Sequence, residues 1–212
     1  MKPTITELTI GDETEAWRAA GFTVADDRTV RVGQVVIRLE GREGGKRIRS
    51  WSWDGLSGEG PIDGLPTGSA TDPSNDAAHP DDAHPNGTTI VDHVVVTSTD
   101  IDRTIAAFES RDLSVRRVRH TDQYGPPFRQ VFFRAGEVII ELIGPDIPTA
   151  AAPTRLYGLA FTVADLDATA ALLGENLGQV KDAVQPGRRI ATLHTLELDI
   201  SVPIAFMTPE PD

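Results

Sequence analysis

His93 and Glu141 are the two residues of this 212-residue chain whose surroundings most indicate chemistry. His93 interrupts the apolar run IVDHVVV, and Glu141 lies in VIIELI, where alternation places it on one face with Ile139 and Ile143. A carboxylate shielded from water is destabilising unless a cation, a metal or a proton compensates its charge. Imidazole and carboxylate together suit Zn, Fe, Mn or Ni. The pair therefore predicts either a divalent metal site or a metal-free polar pair that carries protons.

Several further polar residues are candidates for binding a ligand beside that pair. Arg117 and Arg119 share one face of SVRRVRH, and Arg188 follows a Pro-Gly turn. Arginine binds carboxylate and phosphate groups through two parallel hydrogen bonds, so these side chains indicate an anionic ligand. A charged sheet edge is an equally good interpretation of each arginine. The other candidates are Tyr124 and Gln130, which flank the loop DQYGPP, a candidate lid, and His194.

The strands that carry His93 and Glu141 belong to a unit that is repeated along the chain. Residues 90–145 are predicted to form a strand, an amphipathic helix and three strands, and residues 155–207 repeat that order. Residues 3–40 indicate a compressed copy that includes a strand at 22–25, and residues 46–53 add one more opening strand. We therefore predict an α+β fold built from three βαβββ modules.

Residues 58–88 separate the first copy from the other two. They are rich in Gly, Pro and Asp and contain no Lys or Arg, which predicts a linker or a loop draped over a surface. His79 and His84 each precede a proline there, and ordering such a segment around a metal is entropically unfavourable. The predicted domains are thus 1–57 and 89–210, and the second comprises paired modules at 89–146 and 153–210.

The composition argues against several classes of function. A net charge of −12 repels phosphate backbones, so we expect no nucleic-acid partner. The absence of cysteine excludes disulfides, thiolate metal sites and cysteine nucleophiles. No signal peptide and no apolar run of about 18 residues is found, so we expect a cytoplasmic protein with no membrane partner.

Three stretches resemble the vicinal-oxygen-chelate superfamily, which includes glyoxalases, extradiol dioxygenases and bleomycin-resistance proteins, and in particular its actinobacterial glyoxalase-like members. They are DHVVVTSTDIDRTIAAF, EVIIELIGP, and the third unit with YGLAFTVADLDATAALL, QPGRRIA and VPIAFMTP. The resemblance covers residues 90–209 and implies that paired modules curl into an open half-barrel cup. The cup of residues 89–210 would bind a small oxygen-rich or anionic molecule, as a lyase, isomerase or dioxygenase or, alternatively, as a non-catalytic sequestering protein.

The resemblance also implies four ligand positions for a divalent metal, and here only His93 and Glu141 occupy them. The equivalent residues of the third module are Gly158 and Ala205, which cannot bind metal. Catalytic sites usually keep three protein ligands, so a metal-free pair is favoured, although His194, Glu197 or Asp199 could complete a site.

In the first module the equivalent residues are Glu7 and Arg38, which we expect to form a buried ion pair, and Ser50 stands at the matching position of the extra strand. The first module lacks a full partner of its own. It is expected either to pack onto the other two modules or to be completed by a second chain in a homodimer.

Overall fold

The structure is a computed structural model that describes residues 2–69, 83–121 and 127–211. Two open sheets contain all thirteen strands of these residues. The first sheet is built from β1 (Thr4–Ile10), β2 (Thr29–Val32), β3 (Val35–Leu39), β4 (Ile48–Asp54) and β5 (Thr67–Ser69), with helix α1 (Thr14–Ala19). Its strand order is β2-β3-β1-β4-β5.

The second sheet has eight strands in the described part of the chain. They are β6 (Thr88–Thr97), β7 (Arg117–Thr121), β8 (Phe128–Ala135), β9 (Val138–Pro145), β10 (Arg155–Val163), β11 (Lys181–Asp182), β12 (Arg189–Thr192) and β13 (Ile204–Met207), with helices α2 (Ile101–Glu109) and α3 (Leu166–Leu173). The order is β11-β12-β13-β10-β6-β9-β8-β7, so the sheet stays open at β11 and β7.

The second sheet confirms the predicted fold class, because it consists of two complete βαβββ modules. The modules join through the antiparallel pair β6 and β10, while β9 and β13 lie parallel to the opening strand of their own modules. Each helix begins at an aspartate whose side chain accepts backbone N–H groups of the first turn, Asp100 for α2 and Asp165 for α3. The sequence therefore encodes both module openings in the same way.

The first module is shorter than predicted. Residues 22–25, expected to form a strand, form none, because Phe22 is instead packed in the core beside Trp17, with ring centroids 4.9 Å apart. This leaves a βαββ unit, and β4 and β5 extend its sheet at the positions that β10 and β13 occupy in the second sheet. The extra strand thus extends the sheet of the first module within the chain.

The two sheets share one cluster of buried apolar side chains. The ring centroids of Trp17 and Phe161 of β10 lie 6.4 Å apart, and those of Trp51 of β4 and Phe108 of α2 lie 6.1 Å apart. Aromatic pairs in such tilted and edge-to-face arrangements favour a fixed packing geometry. The first module therefore packs directly onto both modules of the second sheet.

The described parts of residues 58–88 are draped over the protein, the second of the two forms that their composition predicts. Ile62 and Leu65 are buried, and Asp63 accepts hydrogen bonds from Arg103, Thr104 and Thr154. The two large apolar residues in the described part of this segment are thus used for packing.

His84 also lies in this segment and is buried. Its Nδ1 accepts the N–H of Thr23 at 3.1 Å, and its Nε2 donates to the carbonyl of Arg31 at 2.9 Å. His84 is therefore a structural residue, whereas His79 lies outside the described residues. None of the helices in the described ranges is long and apolar enough to cross a membrane.

Candidate functional site

Four neighbouring strands each contribute one polar residue to a cluster on the open face of the second sheet. Arg119 of β7 stands opposite Gln130 of β8. On β9, Glu141 lies two residues before Ile143, the residue that Gln130 faces. His93 of β6 lies two residues before Val95, which faces Glu141. Side chains alternate between the two faces of a strand, so this register brings all four polar groups to the same face.

These four side chains form a continuous chain of contacts. Arg119 donates from Nη1 to Gln130 Oε1 at 3.2 Å, and Gln130 donates from Nε2 to Glu141 Oε1 at 2.5 Å. His93 Nε2 lies 3.4 Å from Glu141 Oε2. The side chains of His93 and Glu141 are only 13% and 14% exposed. Gln130 is therefore oriented by a cation on one side and a carboxylate on the other, and one oxygen of Glu141 faces His93.

Asp92, beside His93 in sequence, extends this chain behind the imidazole. Asp92 Oδ1 lies 2.9 Å from His93 Nδ1, and Oδ2 accepts from Thr162 Oγ1 at 2.8 Å and from Arg188 Nη2. Burial by itself raises the pKa of the Asp92 carboxyl, but the hydrogen bonds and charges of His93 and Arg188 outweigh it and hold that pKa well below its usual range. Asp92 is therefore a carboxylate at neutral pH.

A β-bulge explains how adjacent residues reach the same side of the sheet. Ala160 faces His93 and Phe161 faces Val91, so the ladder between β10 and β6 is shifted by the extra residue Asp92. In a regular strand, Asp92 and His93 would point to opposite faces. A bulge opposes two residues to one and re-aims a side chain. The Asp92 carboxylate thereby reaches the Nδ1 of its own neighbour.

The hydrogen-bond roles of this chain follow from the ionised Asp92. A carboxylate can only accept, so His93 Nδ1 carries a proton. The Nε2 edge of the ring then faces Glu141 Oε2, where a proton can pass between imidazole and carboxylate. The site can thus accept or donate a proton at Glu141 or His93, beside the guanidinium of Arg119.

The open face around the polar chain is apolar. Ile139 and Ile143 flank Glu141 on its own strand, Phe132 faces it from β8, and Val95 faces it from β6. All four are partly exposed. A ligand on this face would meet aliphatic and aromatic surface around a few fixed polar groups, which is the usual make-up of a small-molecule site.

The other predicted ligand-binding residues are not all brought to this face. Arg188 is buried behind Asp92 and also donates from Nε to the carbonyl of Thr208, so it is not available to a ligand. His194 is exposed beyond the end of β12 and contacts the carbonyl of Glu175 through Nδ1. Arg117 does lie on this face, exposed and opposite Phe132. Tyr124 lies outside the described residues.

The residues present do not fit a catalytic metal site. Within the described ranges, no group of three or more His, Cys, Asp and Glu side chains is arranged to hold a metal ion. Ala205 faces Ala160, which faces His93, so the two residues of the third module nearest to His93 at this level of the sheet offer only methyl groups. A side chain at Gly158 would meet the Pro203 carbonyl oxygen at 2.9 Å. His93 and Glu141 provide two donors where catalytic sites have three.

The site residues that the sequence analysis did not identify are Asp92 and Thr162. Asp92 looks like an ordinary polar residue within an alternating strand, and Thr162 lies 70 residues away from it in the chain. The only available signal was the direct adjacency of Asp92 and His93, which gains meaning once the bulge is known.

Comparison with known proteins gives a family match over part of the chain and a fold over all of it. A family model described as the glyoxalase/bleomycin resistance protein/dioxygenase superfamily matches residues 92–192. A mutant of 4-hydroxymandelate synthase from Streptomyces coelicolor is 14% identical, with TM-score 0.66, over 100% of this chain and 94% of that chain. An extradiol ring-cleaving dioxygenase from B. fuscum is also 14% identical, with TM-score 0.59, over 100% of this chain and 72% of its own.

A shorter match covers 59% of this chain. It is methylmalonyl-CoA epimerase from Mycobacterium tuberculosis, 21% identical with TM-score 0.48 over 91% of that chain. No curated protein matches the sequence.

Proposed function

We propose that the open face of the second sheet binds a small anionic, oxygen-rich molecule and moves a proton on it without a metal. The match of residues 92–192 to the glyoxalase/bleomycin resistance protein/dioxygenase superfamily supports a small-molecule site on this sheet. The observation that carries this proposal is the chain of contacts from Arg119 through Gln130, Glu141 and His93 to Asp92. Such a chain holds an acid–base pair in one orientation beside a cation.

Each residue in this series of side-chain contacts has a separate role in the proposal. Glu141 Oε2 is the base that takes a proton from carbon or oxygen of the ligand, and His93 shares that proton through Nε2. Gln130 keeps Glu141 Oε1 occupied, so that Oε2 is the oxygen left for chemistry. Arg119 attracts the anionic group of the ligand, because no carboxylate among the described residues forms a salt bridge with it.

The reaction class favoured by this geometry is proton abstraction next to a carbonyl, as in isomerases and lyases. A suitable probe is 2-oxobutanoate, whose carboxylate suits Arg119 and whose C3 protons exchange with D2O. We expect the wild-type protein to accelerate that exchange, measured by proton NMR, and Glu141→Gln to reduce the acceleration by about 10²-fold or more. Glu175→Gln is the matched control, since Glu175 is exposed and away from the open face.

Non-catalytic sequestration is a second candidate, favoured by the empty third-module positions Gly158 and Ala205. A thermal-shift screen against 2-oxo acids, aromatic carboxylates and phosphate monoesters separates the two. Binding that Arg119→Met weakens, without exchange or turnover of any bound compound, would favour sequestration. The failure of every compound to bind would contradict both candidates.

A further inference from the structure

The third module has no metal-ligating side chain at Gly158 or Ala205, yet two of its side chains hold Asp92. Thr162 belongs to β10, and Arg188 immediately precedes β12. Both donate to the same oxygen, Asp92 Oδ2, and Arg188 Nη2 also lies 3.3 Å from Thr162 Oγ1. The second carboxylate oxygen, Oδ1, is thereby left for His93 Nδ1 at 2.9 Å.

The contact between Arg188 and Asp92 is almost completely shielded from water. The two side chains are 2% and 7% exposed. A buried ion pair seldom stabilises a fold more than well-packed apolar residues of similar volume would, because both ions lose their hydration. The pair therefore indicates a role beyond stability, and the carboxylate oxygen that Arg188 leaves free, Asp92 Oδ1, contacts His93.

We infer that Thr162 and Arg188 are positioning residues, which act through Asp92 to keep the proton of His93 on Nδ1 and to turn Nε2 towards Glu141. Two donors on Oδ2 prevent the carboxylate from rotating, and an acceptor-only Oδ1 requires a proton on Nδ1. The third module, whose two equivalent positions have lost their polar side chains, thus still controls the reactive edge of His93. The inference concerns the free protein, so it stands or fails independently of the proposed reaction.

The wild-type protein gives the first test, by two-dimensional ¹H–¹⁵N NMR of the imidazole rings at pH 7.5 in the presence of EDTA. We expect His93 to carry its proton on Nδ1. His84 is an internal reference for the other tautomer. Its Nδ1 accepts a backbone N–H, so its ring proton is on Nε2. A His93 ring with an unprotonated Nδ1 would overturn the inference.

Asp92→Asn gives the second test. The amide oxygen must replace Oδ2, since both Thr162 and Arg188 donate there, and the amide nitrogen then faces His93. We expect the His93 proton to move to Nε2 in this variant. Adding Arg188→Met removes one donor and lets the amide turn, so part of the Nδ1-protonated population should return. An unchanged tautomer in Asp92→Asn would refute the proposed control by the third module.

Thr162→Val and Arg188→Lys provide a third test, because these conservative substitutions disturb the buried side chains less. Each variant weakens the hold on Oδ2, so we expect the His93 Nδ1 proton to exchange with water at least about tenfold faster than in wild type. Arg189→Met is the matched control, because Arg189 is exposed and pairs with Asp167. Equal exchange rates in wild type, Thr162→Val and Arg188→Lys would exclude a positioning role for both residues.

Discussion

Arg38 donates a 2.9 Å hydrogen bond to Glu7 from the same register positions that Glu141 and His93 occupy in the second sheet. Thr9 faces Arg38 in the first sheet just as Val95 faces Glu141 in the second. The pair is therefore formed as predicted from the repeat, but it is not buried, since Arg38 is 41% and Glu7 25% exposed. One backbone framework thus holds an Arg–Glu pair in one sheet and a His–Glu pair in the other.

The Glu7–Arg38 pair should contribute little to stability. Partly exposed ion pairs typically contribute about 0.2–1 kcal/mol, because water screens both charges. A double-mutant cycle of Glu7→Gln and Arg38→Met, measured by urea unfolding, should give a coupling energy below about 1 kcal/mol. A much larger coupling would mean that the pair is shielded in solution.

Much of the fold and half of the site follow from the sequence, and particular residues show why the rest does not. His93 and Glu141 were recognisable because each breaks an apolar strand pattern. Arg119 was a candidate as an anion-binding arginine, and Gln130 as a polar residue beside the loop DQYGPP. Alternation fails at Asp92, because a bulge depends on the neighbouring strand and leaves no local signal.

The role of Arg188 was missed for a related reason. A Pro-Gly turn predicts an exposed arginine, but its partner Asp92 is 96 residues away in the chain. Likewise, Phe22 has a strand-like context but is drawn into the core by Trp17 and Phe161. Contacts between distant residues decide these positions, and local patterns do not contain them.

The buried pair of Arg188 and Asp92 should be far more sensitive to substitution than the exposed pair beside it. Arg188→Met leaves a buried carboxylate without its cation, so we expect a loss of about 3–5 kcal/mol in the free energy of unfolding. Arg189→Met removes the exposed partner of Asp167 and should change the free energy of unfolding by about 1 kcal/mol or less. Chemical denaturation of both variants tests this, and similar losses in the two would contradict the burial of Arg188.

Asp63 should make the protein sensitive to acid. Burial by itself raises the pKa of the Asp63 carboxyl, but hydrogen bonds from Arg103, Thr104 and Thr154 outweigh it and lower that pKa below its usual value. The carboxylate therefore stabilises the fold fully above its unfolded pKa of about 3.9, and this contribution is lost as the pH falls below that value.

The corresponding experiment compares urea midpoints of wild type and Asp63→Asn between about pH 6 and pH 3. We expect the variant to be less stable at the upper end, by about 1–3 kcal/mol, and its stability to fall less steeply towards the acid end. Asp54→Asn is the control, because Asp54 is exposed at the end of β4. Parallel curves for wild type and Asp63→Asn would show that Asp63 does not titrate with folding.

Refilling one vacant position should create metal affinity that the natural residues do not provide. Ala205 is partly exposed and stands two strands from His93 at the same level, through Ala160. Ala205→Glu adds a third donor near His93 and Glu141, the number that catalytic sites usually have. We expect its affinity for Mn²⁺ or Zn²⁺, measured by calorimetry, to exceed that of wild type by at least about tenfold, or about 1.4 kcal/mol.

Two comparisons establish whether that gain comes from the open face. Ala205→Gln has the same size without the charge, and adding His93→Ala to Ala205→Glu removes one of the three donors. Both should bind metal no better than wild type, because the remaining donors are too few or uncharged. Gly158→Glu should fail as a route to the same site, since a side chain there meets the Pro203 carbonyl oxygen at 2.9 Å and displaces the strand. Metal affinity that persists without His93 would place the new site elsewhere and contradict the equivalence of Ala205 and Glu141.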